Sequence, residues 1–534
     1  MQEMERIELD FELITPSARI ATATHGGRAK CLQRLLRLEL PVPKTVAISF
    51  SGVHSIAAGH FENIKDILNN FGTDDLLCVR PSSESSDWGG PSAIMNIGMN
   101  NLRYEELKQK VGPDVASSTY INFIQAYSLH VARLDPDIFN QVDNENSETL
   151  AKVLEIYENE TEQGFPQDTL VQLSEILRSM ARTWESTTAR LLRQAKGAPI
   201  DAGLGLVIQV MAFGLGEGEC GTGILQLIDE NDGKPKIKGR YKEQSQIRPE
   251  KSSEDTLYLT KDKRGWSLED NNEEIFAQLV EFATLMRVKL REEMQIEFSI
   301  QNGVLHILDG IRTPRRSQAA VRVAVRLAED GIISRSEALM RVEPRAIGEL
   351  LHRQIDPEAH RQILGSGVAA SPGAATGRIV FSAEAAQSHA SRGIDCILVR
   401  RETSPEDVRG MHAAVGVLTE RGGITSHAAV IGRGIGLPCV VGVKDIRFQT
   451  RRKTLICKDG RQLTEGDEIT IDGTSGDILF GSPKMVEAAL DDAFQTLLEW
   501  TDEVSEMKVR ANADTPQDAI TAKKFNAQGI GLCR

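Results

Sequence analysis

The chain has 534 residues, of which 40% are hydrophobic and 26% are charged, a composition typical of a folded globular protein. The length exceeds what one hydrophobic core holds, so we expect three or four domains. The net charge is −14 and no long basic run occurs, which argues against nucleic acid as the main partner.

No segment of the sequence predicts secretion or membrane insertion. The first residues, MQEMERIELDFEL, are acidic where a signal peptide is basic and then apolar. The most apolar stretch, residues 203–216, is too short and too rich in glycine to span a bilayer. The seven cysteines are scattered without a CxxC pair, which is typical of reduced thiols and offers no zinc site. We therefore expect a cytoplasmic protein.

The first part of the chain alternates short strands with amphipathic helices. Apolar residues at three- and four-residue spacing predict helices over 148–163 and 169–195. Asn302-Gly303, inside MQIEFSIQNGVLHILDG, is a strong signal for a two-residue hairpin. A helix that Gly331 closes at its C-cap follows. Further strands are predicted within 40–50, 76–83, 204–214 and 221–229.

The character of the sequence changes near residue 365. Short strands cut by Gly and Pro form a compact β-rich unit, and a helical connector is predicted over 482–507. The last stretch, residues 508–534, predicts strand, helix and strand. Because parallel strands need both faces covered, we expect the chain to stop where a larger α/β domain begins.

His427 lies in RGGITSHAAVIGRG, residues 421–434. Gly422-Gly423 allows a ligand close to the backbone, and Thr425 or Ser426 is a natural N-cap that places His427 in the first turn of a helix. A helix start favours an anion such as phosphate and disfavours a protonated imidazole, which keeps a nitrogen nucleophilic. A buried structural histidine is the alternative, and these residues leave both open.

Several long motifs, in one order along nearly the whole chain, resemble the pyruvate phosphate dikinases of the PEP-utilising enzyme family. TERGGITSHAAVIGRGIGLPCVVG resembles the family's phosphohistidine motif. The other resembling stretches, in chain order, are GGRAKCLQRLLRLELPVPKTVAIS, VRPSSESSDWGGPSAIMNIGMN, CGTGI, QIEFSIQNGVLHILDGIR, AASPGAATGRIVFS, ETSPEDVRGMHAAVGVLTERGG and VRANADTPQDA.

The resemblance implies a multidomain α/β fold in which a swivelling β/β/α domain carries phosphate between two sites. The implied domains are an ATP-grasp-like nucleotide domain (1–340), a linker (341–364), the phosphohistidine domain (365–482), a helical connector (483–507) and a truncated start of the PEP/pyruvate-binding TIM barrel (508–534). In the family, Mg-ATP phosphorylates the histidine, and the barrel then converts pyruvate to phosphoenolpyruvate (PEP).

The same resemblance implies roles for individual residues. His427 is the implied phosphoryl carrier, and Thr425 is the implied regulatory phosphorylation site. Arg28, Arg80 and Glu297 match residues that bind ATP, and Glu297 matches a ligand on the Mg²⁺ side. The implied PEP-phosphate contact is Arg510.

Other positions depart from the family pattern. Arg28 stands for a lysine, and Glu84 stands for the second arginine of the phosphate loop. The remaining departures are Ser92-Ala93 for Asp-Thr, Ile228 for an arginine, Arg240 for a glutamate, Asp309 and Ile311 for the Gln and Arg of the LQTR motif, and Arg312 one residue out of register. Cys533 does not match the family's catalytic cysteine, and we expect it to be a buried small residue.

Two hypotheses about function remain open, and a third possibility is that the sequence is truncated and the missing barrel lies beyond residue 534. The chain is either a phosphotransferase, phosphorylated at His427 from ATP or through a separate barrel subunit or a full-length dikinase, or a pseudoenzyme that serves as a binding or regulatory module. Phosphoryl transfer depends on positioned cations, so the altered cleft bears directly on the choice. The sequence leaves a homodimer open and predicts no membrane partner.

Overall fold

The computed structural model describes residues 10–60, 64–85, 88–139, 147–216, 218–243, 245, 256–261, 265–356, 359–449, 452–486, 491–524, 527–531 and 533. The chain forms two compact units, one of residues 1–228 and 235–314 and one of residues 229–234 and 315–534. The mixed α/β multidomain class is confirmed. No helix within the described ranges is long and apolar enough to cross a membrane.

The first unit contains the first ten strands and ten helices of the described chain. The strands are β1 (Phe11–Leu13), β2 (Thr45–Ile48), β3 (Leu77–Ser83), β4 (Ile94–Ile97), β5 (Leu204–Val210), β6 (Gly221–Ile228), β7 (Pro235–Glu243), β8 (Thr256–Tyr258), β9 (Met294–Gln301) and β10 (Val304–Arg312). The helices are α1 (Thr22–Arg37), α2 (Phe50–Ala58), α3 (Ile64–Leu68), α4 (Asn101–Val111), α5 (Pro113–Tyr127), α6 (Ser147–Thr161), α7 (Thr169–Glu185), α8 (Thr187–Ala195), α9 (Leu268–Asn271) and α10 (Glu273–Leu290).

Two five-stranded antiparallel sheets organise this unit, in the orders β1-β2-β5-β3-β4 and β10-β9-β6-β7-β8. The central strand β5, LGLVIQV, is buried at every position except its last residue, because helices and loops cover both faces. One hydrophobic core lies on the first sheet with α5 and α7, and a second joins α1 and α10 to the other sheet.

The second unit contains the remaining elements. Its strands are β11 (Gln354–Ile355), β12 (Ile363–Ser366), β13 (Val368–Ser371), β14 (Ala374–Val380), β15 (Cys396–Arg400), β16 (Gly416–Thr419), β17 (Cys439–Val441), β18 (Ile446–Gln449), β19 (Thr454–Cys457), β20 (Gln462–Thr464), β21 (Glu468–Asp472), β22 (Asp477–Phe480) and β23 (Met485–Val486). Its helices are α11 (Ser317–Glu329), α12 (Arg335–Arg341), α13 (Pro344–Leu350), α14 (Ala383–Ser391), α15 (Val408–Ala413), α16 (His427–Ile435), α17 (Asp492–Val504) and α18 (Pro516–Lys524).

An eight-stranded mixed sheet, in the order β12-β22-β21-β14-β15-β16-β17-β13, forms the centre of the second unit. Strands β14 to β17 are parallel neighbours, and α14, α15 and α16 are the connections between them. A three-stranded antiparallel sheet, β18-β19-β20, packs its apolar face into the same core. This architecture places the carboxyl ends of parallel strands at one edge of the sheet.

Most local predictions agree with the structure. The Asn302-Gly303 hairpin is confirmed, since Gln301 pairs with Val304 and both turn residues have positive φ angles, 51° and 76°. The helix ending before Gly331 is also confirmed, as α11. The prediction of one continuous helix over 169–195 is wrong, because α7 ends at Glu185 and α8 begins at Thr187. Ser186 is extended and caps a new helix by accepting a hydrogen bond from the Ala189 N–H, at 3.3 Å.

The regions between the predicted domains are more structured than expected. The predicted linker, 341–364, contains α13, β11 and the first residues of β12. The predicted helical connector, 483–507, begins with β23 and becomes helical only at α17. The first unit ends at residue 314, because α11 packs on α17 in the second unit. The ATP-grasp-like, swivelling and barrel assignments, with their boundaries, stay predictions.

At the end of the chain, a parallel bridge joins Ala511 to Ile530 on either side of α18. This agrees with the predicted strand, helix and strand. The prediction that Cys533 is buried is wrong, because its side chain is exposed.

The bend in α1 at Gly26 generates the first testable prediction. Gly26 has φ 85° and ψ 171°, and a Cβ at this residue would lie 1.8 Å from the Ser82 carbonyl oxygen. We expect Gly26→Ala to lower the free energy of unfolding by at least about 3 kcal/mol, since strain and a backbone clash combine. Urea denaturation measures this loss.

Gly59 provides the matched control for Gly26. Its φ is also positive, 81°, but a Cβ there would meet nothing within 4 Å. Gly59→Ala should therefore cost only about 1 kcal/mol. Equal losses for the two variants would contradict the role of the close approach to β3.

Candidate functional site

The histidine site lies where two neighbouring parallel strands end. Thr403 follows β15, and His427 follows β16 as the first residue of α16. Residues from Ile397 to Arg400 pair in register with residues from Gly416 to Thr419, so both following loops emerge at the same edge. Loops at the carboxyl ends of parallel strands are where open α/β sheets bind ligands.

The start of α16 offers hydrogen-bond donors to an anion. Ser426 is the N-cap, as predicted, and its Oγ accepts a hydrogen bond from the Ala429 N–H. Among the described residues, no acceptor meets the backbone N–H groups of His427 and Ala428. These groups and the helix dipole create a local positive potential that suits a phosphoryl group.

Thr403 orients the imidazole. Its Oγ1 lies 3.3 Å from His427 Nδ1, and the threonine is buried while the histidine is only half-buried. The contact permits the tautomer in which Nδ1–H donates to Thr403, so that Nε2 keeps its lone pair. Buried polar groups are usually hydrogen-bonded, whereas Nε2 of His427 has no hydrogen-bond partner among the described residues.

Two contacts fix the loop that precedes His427. Arg433, one and a half turns further along α16, donates to the Ile424 and Ala370 carbonyl oxygens at 2.7 and 2.8 Å. Gly422 has φ 121°, and a Cβ there would lie 2.9 Å from Ser426 Cβ. The loop therefore needs glycine at this position in order to reach the N-cap.

The sequence analysis did not assign roles to Thr403 or Arg433. Both lie in stretches that carry the family resemblance, ETSPED and HAAVIGRG. Only the pairing of β15 with β16 brings Thr403 to the histidine, and no local pattern encodes that register.

The other predicted residues of the second unit are exposed. Thr425 is exposed two residues before His427, where a modifying enzyme has access to it. Arg510 is also exposed, and it packs beside Gly529 near the Ala511–Ile530 bridge. No hydrogen bond or ion pair in the described part of the chain joins Arg510 to His427.

The structure brings the three predicted nucleotide residues of the first unit together around Asp309. Arg28 Nε lies 2.7 Å from Asp309 Oδ2, and Arg80 Nη1 lies 3.7 Å from the same oxygen. Arg80 Nη2 also binds Glu297 Oε1, at 2.9 Å. The other Arg28 contact is a hydrogen bond from Nη1 to the Pro81 carbonyl oxygen. We call these four side chains (Arg28, Arg80, Glu297 and Asp309) the ion cluster.

The ion cluster contains two positive and two negative groups, so its formal charge is zero. Asp309 is almost fully buried, with 3% of its side chain exposed. Burial raises its pKa, but Arg28 and then Arg80 outweigh this effect and hold the pKa below its usual range. Burial likewise opposes the charge of Arg80, yet Glu297 and Asp309 raise the pKa of that guanidinium.

A magnesium ion does not fit the ion cluster in this arrangement. Mg²⁺ needs carboxylate oxygens that are free to coordinate. Glu297 and Asp309 face each other across β9 and β10, but a guanidinium engages each of them. The described residues hold no group of three or more His, Cys, Asp or Glu side chains arranged for a metal. We derive no chemical step through Mg²⁺.

A cavity of about 720 Å³ lies elsewhere in the first unit. Its floor is apolar, with Leu76, Met99, Met211 and Phe213, and Gln301 lies on its rim. None of the ion-cluster residues lines it. Leu76 lies four residues from Arg80 along the chain, and Gln301 lies four residues from Glu297. Four residues of an extended strand span about 13 Å. Charged side chains, among them Asp75, Arg103, Glu106 and Lys110, also line the cavity, so its lining is mixed.

Two family models match the second unit. One describes the mobile domain of PEP-utilising enzymes and matches residues 394–476, which include Thr403 and His427. The other describes the PEP-binding domain of the same enzymes and matches residues 488–534, which include Arg510.

Curated relatives extend the similarity over nearly the whole chain. The pyruvate, phosphate dikinase of Rhizobium meliloti is 34% identical over 95% of this chain and 61% of its own length. The enzyme of Clostridium symbiosum is 34% identical over 86% of this chain and 54% of its own length. The chain is therefore a relative of the pyruvate, phosphate dikinases, with domains of PEP-utilising enzymes in its second unit. A chloroplastic dikinase of Mesembryanthemum crystallinum is 32% identical over 95% of this chain and 57% of its length.

This chain spans about half the length of the curated relatives that it matches, between 54% and 61% for these three. The similarity therefore establishes a relationship to these enzymes, whereas the activity, substrates and partners of a whole dikinase are matters for proposal.

Among the positions at which the chain departs from the family pattern, Arg28 and Asp309 belong to the ion cluster. Arg312 pairs with Glu292 at 3.2 Å and is largely exposed, as its shifted register predicts. A bulge between Ile307 and Asp309 accompanies that shift in β10. Arg240 stacks on Tyr258, with its guanidinium carbon 4.9 Å from the ring centre, and Ile228 is buried.

Asp309 generates a pH prediction. Because its pKa is lowered in the folded state, its stabilising contribution is complete above the ordinary aspartate pKa and is lost as the pH falls through the folded value. We expect Asp309→Asn to destabilise the protein by about 1–3 kcal/mol at neutral pH, since two arginines lose a charged partner.

The same variant should show a weaker loss of stability than wild type when the pH falls below about 4. Chemical denaturation at a series of pH values measures both effects. Parallel pH profiles for the two proteins would contradict the assignment of this dependence to Asp309.

Proposed function

We propose that the chain is a dikinase-like phosphotransferase in which His427 accepts a phosphoryl group and passes it on during the interconversion of pyruvate and PEP. The observation that carries the proposal is the half-buried imidazole at the start of α16, with Nδ1 on Thr403 and two backbone N–H groups without acceptors beside it. The phosphoryl donor is ATP, or PEP through a barrel on a separate subunit or a full-length dikinase.

The chemistry asked of His427 is nucleophilic substitution at phosphorus. Nε2 forms the new N–P bond with its lone pair, while the P–O bond to the leaving group breaks and that oxygen keeps the bonding electrons. Thr403 holds the ring, since it contacts Nδ1. The N–H groups of His427 and Ala428 stabilise negative charge on the phosphoryl oxygens. Return of the phosphoryl group to an acceptor oxygen reverses these bond changes.

Labelling from radioactive donors tests this role. Wild-type protein is incubated with β- or γ-labelled ATP and Mg²⁺, or with labelled PEP and a full-length dikinase, and acid-labile, base-stable label is counted. We expect His427→Asn to abolish the label without unfolding the domain, because asparagine suits a helix start. His412→Asn is the matched control, since His412 is an exposed histidine of the same unit.

Three further variants, at two residues, separate orientation from charge. Thr403→Val should slow labelling about ten- to hundredfold, because the ring loses its orienting contact, and Thr403→Ser should retain most of the rate. Thr425→Glu should also slow labelling with little loss of stability, since a carboxylate suits that helix end but repels the incoming phosphoryl group. Wild-type protein that takes no label from either donor would overturn the proposal.

The ion cluster favours a second candidate function, that of a binding or regulatory module without ATP chemistry. Arg28 and Arg80 already hold carboxylates, and a neutral cluster does not attract a triphosphate. In this alternative the PEP-utilising fold presents Thr425 and the surface around His427 to a partner, while the first unit leaves ATP unbound.

Calorimetric titration with Mg-ATP distinguishes the two candidates. Heat of binding to wild-type protein in the micromolar range would contradict the module. No binding to wild type, with binding gained in Asp309→Gln, would support a cleft that its own carboxylate blocks. Glu158→Gln is the control variant, because Glu158 is exposed on α6, outside the ion cluster and the phosphate loop.

Other features of the proposal follow the family. ATP, PEP and pyruvate are the proposed ligands, Arg510 is the proposed PEP contact, and Thr425 is the proposed regulatory site. A cytoplasmic location, a homodimer and a separate barrel subunit stay predictions.

A further inference from the structure

A cluster of positive charge lies on the small sheet β18-β19-β20. Residues 444–461 contain seven Lys and Arg and two Asp, in a chain whose net charge is −14. The longest run of consecutive cations here is the three residues 451–453, too short to be a long basic run. Thr450 and Arg451 lie outside the described residues and are not used below.

The cations of this sheet fall into two groups. Lys453, Lys458 and Arg461 pair with Glu465, Asp445 and Asp459, at 2.6, 3.8 and 2.5 Å. Lys444, Arg447 and Arg452 are exposed, and no carboxylate in the described ranges pairs with them. All three belong to β18 or to the residues that flank it. We call β18 with Lys444, Arg447 and Arg452 the basic edge.

Strand β18 is at the end of its sheet. It pairs with β19 through Ile446–Cys457, Arg447–Ile456, Phe448–Leu455 and Gln449–Thr454, and no strand pairs with its other side within the described part of the chain. An edge strand presents backbone N–H and C=O groups that can pair with a further strand. The basic edge therefore combines open backbone groups with unpaired cations.

The two faces of β18 differ in chemistry. Ile446 and Phe448 are buried in the core of the second unit, whereas Arg447 and Gln449 are exposed on the outer face. Side chains of a strand added beside β18 would alternate in the same way. Acidic residues on the outer face would meet Arg447, and apolar residues on the inner face would continue the core.

We propose that the basic edge binds an acidic, extended segment of a partner protein, in which acidic and apolar residues alternate, by adding that segment to β18 as a further strand. Backbone hydrogen bonds would supply affinity, and Lys444, Arg447 and Arg452 would select negative charge. The outer face of the sheet carries Arg447, Gln449, Thr454, Ile456, Gln462 and Thr464. It lacks the aromatic rings that bind single-stranded nucleic acid.

Fluorescence anisotropy with defined peptides tests the proposal on the full chain. The probe is a labelled peptide of alternating glutamate and valine, and its controls are a scrambled peptide of the same composition and an alternating lysine and valine peptide. We expect binding of the alternating glutamate peptide at low ionic strength, weaker binding as salt rises, and no binding of either control.

Variants locate the surface. Arg447→Glu and Lys444→Glu should each weaken binding about tenfold or more, since each replaces an attraction with a repulsion. Arg178→Glu should leave binding unchanged, because Arg178 is an exposed arginine on α7. Hydrogen exchange should show that the peptide protects the backbone amides of β18.

Four results would overturn the proposal. The first is no binding of the alternating peptide. In that case the cations would only protect the edge strand against aggregation. The second is equal binding of the scrambled peptide. The third is binding that leaves β18 amides unprotected. The fourth is binding of an oligouridylate or of phosphatidylserine vesicles in place of the peptide.

Discussion

Parallel pairing of β15 with β16 is the constraint on which the histidine site depends. The register that places Arg400 beside Thr419 makes both strands end together, and the loops that follow deliver Thr403 and His427 to one edge of the sheet. Both faces of these strands are buried in apolar cores, and a one-residue slip would exchange the side chains packed in the two cores. Packing in the core therefore sets where the imidazole lies relative to Thr403, and the loops provide only the short connection from the strand ends.

The two units differ in whether their positive groups are paired with negative groups of the protein. At the start of α16, the backbone N–H groups of His427 and Ala428 meet no acceptor among the described residues, and together with the helix dipole they form a positive potential that suits an anion. In the ion cluster, two arginines meet two carboxylates at low exposure. Removing one member of such a cluster is costly because the others stay buried. The backbone donors at α16 therefore lack a partner among the described residues, whereas the arginines of the ion cluster are satisfied by carboxylates of the protein.

Local chemistry explains which features could be predicted from the sequence. The Asn302-Gly303 turn, the Ser426 cap and the helix start at His427 depend on a few adjacent residues, and all three follow from residue type. The break at Ser186 was missed because the apolar spacing continues across it. Thr403 and Asp309 were not recognised as partners of His427 and Arg28, since sheet register and contacts between residues 281 apart have no local signal. The roles of the site residues stay predictions.

The tight turn at Asn302-Gly303 also has a consequence for the order of folding. Hairpins with two-residue turns close within microseconds, whereas contacts between distant residues form later. Closing this hairpin sets Glu297 opposite Asp309, while Arg80 and Arg28 are 217 and 281 residues away in the chain. The Glu297 and Asp309 carboxylates thus face each other before the two arginines reach them, and their repulsion slows formation of the hairpin. We therefore expect the hairpin of β9 and β10 to close more slowly than its turn alone predicts, and the two carboxylates to be neutralised only when Arg28 and Arg80 pack against them.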